Sequence, residues 1–179
     1  NTAQNYFDGN ITANNGVKIY NLSANLTNQS VFGLFGYLGP NATVSNLHLY
    51  DTQIYHSGSV SNVVIGSIAG VSGASQINNC SVDSFKSTKR TQTADGTPIT
   101  ATYNDTAYDY YLVPDFLEYS STNNCVVGGL IGRVTGKGNI SQCEVNGKIS
   151  VNKGSGIGNI VGEIYDSANR SETVGISNV

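Results

Sequence analysis

The sequence predicts an all-β chain folded as a parallel β-solenoid, β-helix-like, of about four to five coils with one long insertion. Three observations predict it. The composition is poor in charge and rich in small turn-forming residues. A glycine-bracketed apolar step recurs down the chain. A second short pattern, apolar and amide, follows each copy of the first.

Composition sets the bounds. A chain of 179 residues is long enough for one domain with a real core and short for two, so residues 1–179 are read as a single solenoid domain. The charged fraction is 12%, about half the usual share, and Gly, Asn, Ser and Thr make up the difference. Nine Lys and Arg against twelve Asp and Glu give a net charge of −3, with no basic run longer than Lys89-Arg90. Such a chain is not built to hold nucleic acid. The longest apolar run, Val63-Val64-Ile65, ends at Gly66, far short of the ~20 residues that cross a bilayer, so no membrane span is expected in this segment. The chain has no Met. Asn1 therefore either follows a removed signal or marks where an ordered segment begins, and the expectation is part of a larger product.

The glycine-bracketed step reads Gly33-Leu34-Phe35-Gly36, Ser67-Ile68-Ala69-Gly70, Gly129-Leu130-Ile131-Gly132 and Asn159-Ile160-Val161-Gly162. The second pattern is a branched apolar residue, any residue, an amide and an apolar residue. Its copies are Val44-Ser45-Asn46-Leu47, Ile77-Asn78-Asn79-Cys80, Ile140-Ser141-Gln142-Cys143 and Ile176-Ser177-Asn178-Val179, with a leading copy at Ile19-Tyr20-Asn21-Leu22. Units of this size, rich in β-branched residues and turn signals, read as coils of two or three short strands. Stacking them turns each repeat position into a column. Leu34, Ile68, Leu130 and Ile160 form one apolar column; Val44, Ile77, Ile140 and Ile176 form another. The amides Asn21, Asn46, Asn79, Gln142 and Asn178 form a corner ladder, because Asn tolerates the left-handed backbone and in-register amides can bond from coil to coil.

These repeats resemble the GLUG-motif family, named for a Gly-Leu-any-Gly core. Gly33-Leu34-Phe35-Gly36 and Gly129-Leu130-Ile131-Gly132 match that core, and the steps ending at Gly70 and Gly162 keep its last glycine. The likeness extends to Phe7-Asp8-Gly9 and Ile140-Ser141-Gln142-Cys143 and covers most of the chain outside residues 86–122. The resemblance implies an extracellular or cell-surface solenoid of the kind found in adhesins and in non-catalytic parts of surface proteases, and it carries no catalytic residues.

Cys80 and Cys143 occupy the column otherwise filled by Leu22, Leu47 and Val179, so they read as buried free thiols, with a bond between adjacent coils as the alternative. Cys125 has no evident counterpart in the other coils and is left either paired or buried. Three cysteines without C-x-x-C spacing give no zinc site, and neither a metal nor another cofactor is expected. Asn-x-Ser/Thr sequons occur at Asn10, Asn21, Asn25, Asn28, Asn41, Asn79, Asn104, Asn139 and Asn169. Asn41, Asn104 and Asn169 are the leading glycosylation candidates, followed by Asn10, Asn25, Asn28 and Asn139, while Asn21 and Asn79 are expected to be enclosed.

Residues 86–122 interrupt the repeat and carry Tyr103, Tyr108, Tyr110, Tyr111 and Tyr119 beside Asp105, Asp109, Asp115 and Glu118. Rings beside carboxylates are what a saccharide or protein contact uses, so these tyrosines are the candidate ligand-binding residues. The simpler reading is that they pack the excursion against the solenoid.

Catalysis fares poorly. Asp51 and Asp83 sit at similar offsets after the second pattern, but Asn146 stands there in the next coil, and turn capping explains the acids. His48 and His56 have no partners for a metal site and read as solvated. The chain is therefore expected to be no enzyme, but a structural or adhesive module whose partner is a protein or glycan at a cell surface, or copies of itself. The alternatives are a self-assembling, glycosylated filament subunit that stacks through solenoid ends, and a carbohydrate-active β-helix.

Overall fold

The computed structural model describes residues 5–73, 75–83, 85–88, 102–103, 106–107, 109–112, 117–119, 124–147, 149–151, 154, 156–165 and 175–177. Among these, all regular structure is β-strand.

The chain enters through β1 (Asn10–Tyr20) and β2 (Ser23–Leu26). A first complete turn follows in β3 (Val31–Phe32), β4 (Phe35–Leu38), β5 (Thr43–Tyr50) and β6 (Gln53–His56). The second runs through β7 (Val63–Gly66), β8 (Ala69–Ser72), β9 (Gln76–Asn78) and β10 (Ser81–Asp83). It leaves the stack for β11 (Phe85–Thr88), β12 (Thr102–Tyr103), β13 (Thr106–Ala107) and β14 (Asp109–Leu112), then returns in β15 (Leu117–Tyr119). The third comprises β16 (Cys125–Gly128), β17 (Ile131–Val134), β18 (Asn139–Ser141), β19 (Glu144–Asn146) and β20 (Ile149–Val151). Strands β21 (Gly156–Gly158), β22 (Val161–Ile164) and β23 (Gly175–Ser177) begin another. The parallel β-solenoid thus has three complete turns and a partial turn at each end, rather than four or five full coils.

Equivalent strands pair in parallel from turn to turn and make four faces. The first is β3, β7, β16 and β21; the second is β4, β8, β17 and β22. The third is the widest, with β1, β5, the pairs β9/β10 and β18/β19, and β23; the fourth is β2, β6, β15 and β20. The predicted apolar columns hold. Val44, Ile77, Ile140 and Ile176 face one another in register, and the backbone bonds of Leu34, Ile68 and Leu130 run to the next turn. Val44, Ile68, Ile77 and Leu130 are fully buried, and each large aliphatic side chain of this kind contributes about 1.5–3 kcal/mol by leaving water.

The amides bend the third face. Asn46, Asn79 and Gln142 all have positive φ, at 59°, 49° and 54°, and β9/β10 and β18/β19 divide at the last two. Asn79 Nδ2 donates to Asn46 Oδ1 at 2.7 Å, which is one link of the predicted ladder. Asn21 belongs elsewhere. Because Tyr20 pairs with Tyr50, Asn21 stacks on Asp51, and these two residues, with φ of 58° and 55°, turn the chain from the third face to the fourth. Both bends need a left-handed residue after an apolar strand, so the same short pattern marks both and the phase was ambiguous. Opposite Asn46, the entry strand β1 instead bulges between Thr12 and Val17 and places Gly16 there with φ 79°. Asn178 lies outside the described residues.

Glycine makes the sharp corner between the first and second faces. Gly66, Gly128 and Gly158 share a column through the pairings of β7, β16 and β21, and four residues on stand Gly70, Gly132 and Gly162. A Cβ on Gly128 would collide with the Ile131 carbonyl and lie 2.6 Å from the Gly162 nitrogen; a Cβ on Gly132 would lie 2.7 Å from a Val64 methyl. Backbone of one face therefore packs directly on the other.

The excursion is shorter at its far end than residues 86–122. Leu117, Glu118 and Tyr119 pair with Ile54, Tyr55 and His56 on one side and with Ile149, Ser150 and Val151 on the other, so they are a rung of the fourth face. No glycine bracket marks this rung, which is why the repeat pattern passes over it. Outside the stack, β11 pairs antiparallel with β14 and β12 with β13.

All three cysteines are buried and none is in a disulfide. Cys80 and Cys143 stack in one column below Leu47, as the pairings on either side of them require. Cys125 does have a counterpart, Val63, which it faces in register. The two stacked thiols interact: Cys80 is pushed up by its contact with Cys143 and by burial, and Cys143 is held down by the same contact. Burial alone pushes the Cys125 thiol up to about 11. His56 is also interior. It is fully buried, its Nε2 lies 3.0 Å from the Gln29 carbonyl, and the Gly58 N–H donates to its Nδ1. The expected solvated histidine is instead a bonded core residue at the end of the fourth face, because Leu26 and His56 stand in register there.

Candidate binding surfaces

A strand in the stack gives alternate side chains to the core and to solvent, so each face displays outward columns. Two of them gather chemistry. On the third face, Lys18, His48, Ser81 and Glu144 form one column and Tyr20, Tyr50, Asp83 and Asn146 the next. The rings of Tyr20 and Tyr50 stack with centroids 5.2 Å apart and planes at 16°, and Lys18 Nζ lies 6.0 Å from the Tyr50 centroid. His48 Nδ1 is 3.0 Å from Ser81 Oγ; burial, with Lys18 nearby, lowers its pKa. Asn146 donates to Asp83 Oδ1 at 2.8 Å and to Glu144 Oε1 at 3.0 Å. Burial raises the Asp83 pKa against the Asn146 bond, which lowers it. The register places Asp83 opposite Tyr50, so Asp51 lies one position beyond the Asp83 column rather than in it.

The second surface is a groove of about 260 Å³ where the first and second faces meet. Valines from both faces line it, with Tyr37, Arg133 and Tyr165 above them. Arg133 Nε donates to Glu163 Oε2 at 2.7 Å, and its guanidinium carbon lies 5.4 Å from the Tyr165 ring centroid. Both partners of this ion pair are about one-third exposed, so it adds only ~0.2–1 kcal/mol and serves mainly to fix the guanidinium. Sequence reasoning missed this site. The signal was present: Tyr37, Val71, Arg133 and Glu163 each directly follow the last glycine of a bracketed step, and that position faces outward.

The tyrosines singled out from sequence are spread over several elements. Tyr103 is in β12, opposite Thr106. Tyr110 and Tyr111 are neighbours in β14, opposite Ser87 and Lys86. Tyr119 is in the fourth face, and Tyr108 lies outside the described residues. Among the sequons, Asn10, Asn25, Asn28, Asn41 and Asn139 are exposed. Asn41 is tied down, its backbone N–H and its Nδ2 donating to the two carboxylate oxygens of Asp8 at 2.7 and 2.8 Å. Asn21 and Asn79 are exposed too, contrary to expectation, because a left-handed residue at an outward bend turns its side chain away from the core. Asn104 and Asn169 lie outside the described residues.

The glycine corner of the third turn contains Gly129-Leu130-Ile131-Gly132, and the same turn continues through the amide bend at Gln142. Residues 123–150 match the GLUG motif. The GLUG stretch begins just before β16 and reaches β20, so it spans almost all of the third complete turn. Both bends of that GLUG turn are repeated above it by the glycines Gly66 and Gly70 and the amide Asn79. No curated protein and no solved structure matches the chain. Among the described residues, no helix is long and apolar enough to cross a membrane.

Proposed function

We propose that the chain is a non-catalytic, extracellular structural and adhesive module of a larger surface or secreted protein. The observation that supports this most is the stack itself. Its interior is closed by in-register apolar columns, and its strands repeat their outward positions from turn to turn, so polar and aromatic side chains are displayed in rows along a rigid body. The GLUG stretch supports the extracellular reading. A cell-surface binding assay with the whole chain tests the adhesive part: retained binding is expected, and its absence would leave a purely structural module. Incubation with a broad panel of polysaccharides tests the non-catalytic part, and any released product would overturn it.

A second reading, assembly through the solenoid end, has one observation behind it. Ile157, Ile164 and Ile176 are 54%, 54% and 40% exposed, whereas Val127, Val134 and Ile140, their neighbours in register, are buried. Another rung would cover them, from the same polypeptide or from a second copy. Concentration-dependent sedimentation distinguishes the two, and a dispersed monomer at all concentrations excludes self-assembly.

A further inference from the structure

We propose that the groove between the first and second faces binds a neutral oligosaccharide lying along the stacking axis. This rests on the adhesive reading and places the contact on the body of the solenoid rather than on the excursion.

The groove owes its shape to glycine. Val31 and Val64 pack toward Gly70 and Gly132 at distances that leave no room for a Cβ, so the two faces close into a concave corner with an apolar floor. Its outward lining runs from Tyr37 through Val71 to Arg133, one residue per turn, and ends at Tyr165 beside the next. At ~4.8 Å per rung this is a trough about 14 Å long, suited to an extended chain.

The backbone argues against a peptide. Strands cross the groove at right angles to its length, and their N–H and C=O groups are spent on the pairs between turns. Among the described residues, no strand edge runs along its length, so a peptide lying there finds no template for strand addition. Recognition must come from side chains. Arg133 lines the groove with its Nε fixed to Glu163 Oε2 at 2.7 Å, which sets guanidinium donors for the oxygens of neighbouring hydroxyls on a sugar ring. Tyr37 and Tyr165 stand at the two ends, where flat rings cover the less polar faces of sugars with little conformational cost. The ion pair is neutral as a unit, so it favours an uncharged chain over uronic or sialic acids.

The test is an array of neutral tri- to hexasaccharides, with acidic glycans alongside, followed by titration calorimetry on any series retained. Arg133→Gln and Tyr37→Ala should each weaken binding by ~10-fold or more, the effect of losing one good hydrogen-bonded or stacked contact. Val71→Gln, which obstructs the middle of the trough from an outward position, should do the same and serves if Tyr37→Ala melts early. The double variant Tyr110→Ala/Tyr111→Ala should leave the affinity unchanged. The inference falls if no neutral oligosaccharide binds, or if binding survives all three groove variants. If cell adhesion is lost only in the Tyr110/Tyr111 variant, the adhesive reading stands and this site is wrong. If the chain neither adheres nor binds sugars, both fall.

Discussion

The glycine corner between the first and second faces and the amide bend within the third face both turn the chain, yet they constrain it in opposite ways. At the corner, Gly66, Gly128 and Gly132 do not need a left-handed backbone; they need empty space, because carbonyls and nitrogens of the facing strand occupy the place of a side chain. At the bend, Asn46, Asn79 and Gln142 adopt positive φ, and their side chains have room to point outward. One turn is fixed by contact and the other by conformation. Glycine satisfies both demands, but an amide satisfies only the second.

The largest effect that follows is at the corner. Gly128→Ala should abolish the cooperative thermal transition, or cost more than about 4 kcal/mol, since the new methyl meets only backbone that cannot yield. A near-normal melting curve would show that the faces can separate. Next is the core both bends enclose: Ile140→Ala should cost about 2–5 kcal/mol in denaturant titration. His56→Ala should cost less, about 1–3 kcal/mol, by leaving the Gln29 carbonyl and the Gly58 N–H without their buried partner. The bend should be the most tolerant. Asn79→Ala should cost about 1 kcal/mol for the left-handed backbone and the lost bond to Asn46, whereas Asn79→Gly should fall within ~0.5 kcal/mol of the parent. Equal losses from the two Asn79 variants would mean that the ladder bond, not the backbone, holds the bend. The smallest effect is electrostatic. Burial raises the folded-state pKa of Asp83, so its contribution to stability is present at acid pH, below the unfolded value near 4, and is lost as pH rises through the folded one. Asp83→Asn keeps the acceptor for Asn146 and should raise the melting temperature at pH 7 by about 1–2 °C, with no gain near pH 3.

The contrast between the two bends also explains how much of the fold is legible in the sequence. Columns such as Val44, Ile77, Ile140 and Ile176 were legible because buried positions repeat a residue type. The amide bend was legible for the same reason, although Asn21 was placed in the wrong column because two bends share one conformational demand. The second glycine column, Gly66, Gly128 and Gly158, is a steric fact that shows only when two faces are brought together. The groove depends on that closure, so Tyr37, Val71 and Arg133 do not stand out in the sequence although they hold one repeat phase. His56 was misplaced for a different reason. Its burial depends on a carbonyl of Gln29 and an N–H of Gly58, neither of which the hydrophobic pattern reveals.

The return of the chain at β15 has a consequence for how such a molecule can change. Where Asp51, Thr52 and Gln53 suffice to join Tyr50 to Ile54, residues 84–116 lie between Asp83 and Leu117, and still Leu117 enters the same register. The stack neither opens nor slips to admit them. That junction is a socket: it takes segments of different length and composition while the rungs on either side keep their partners.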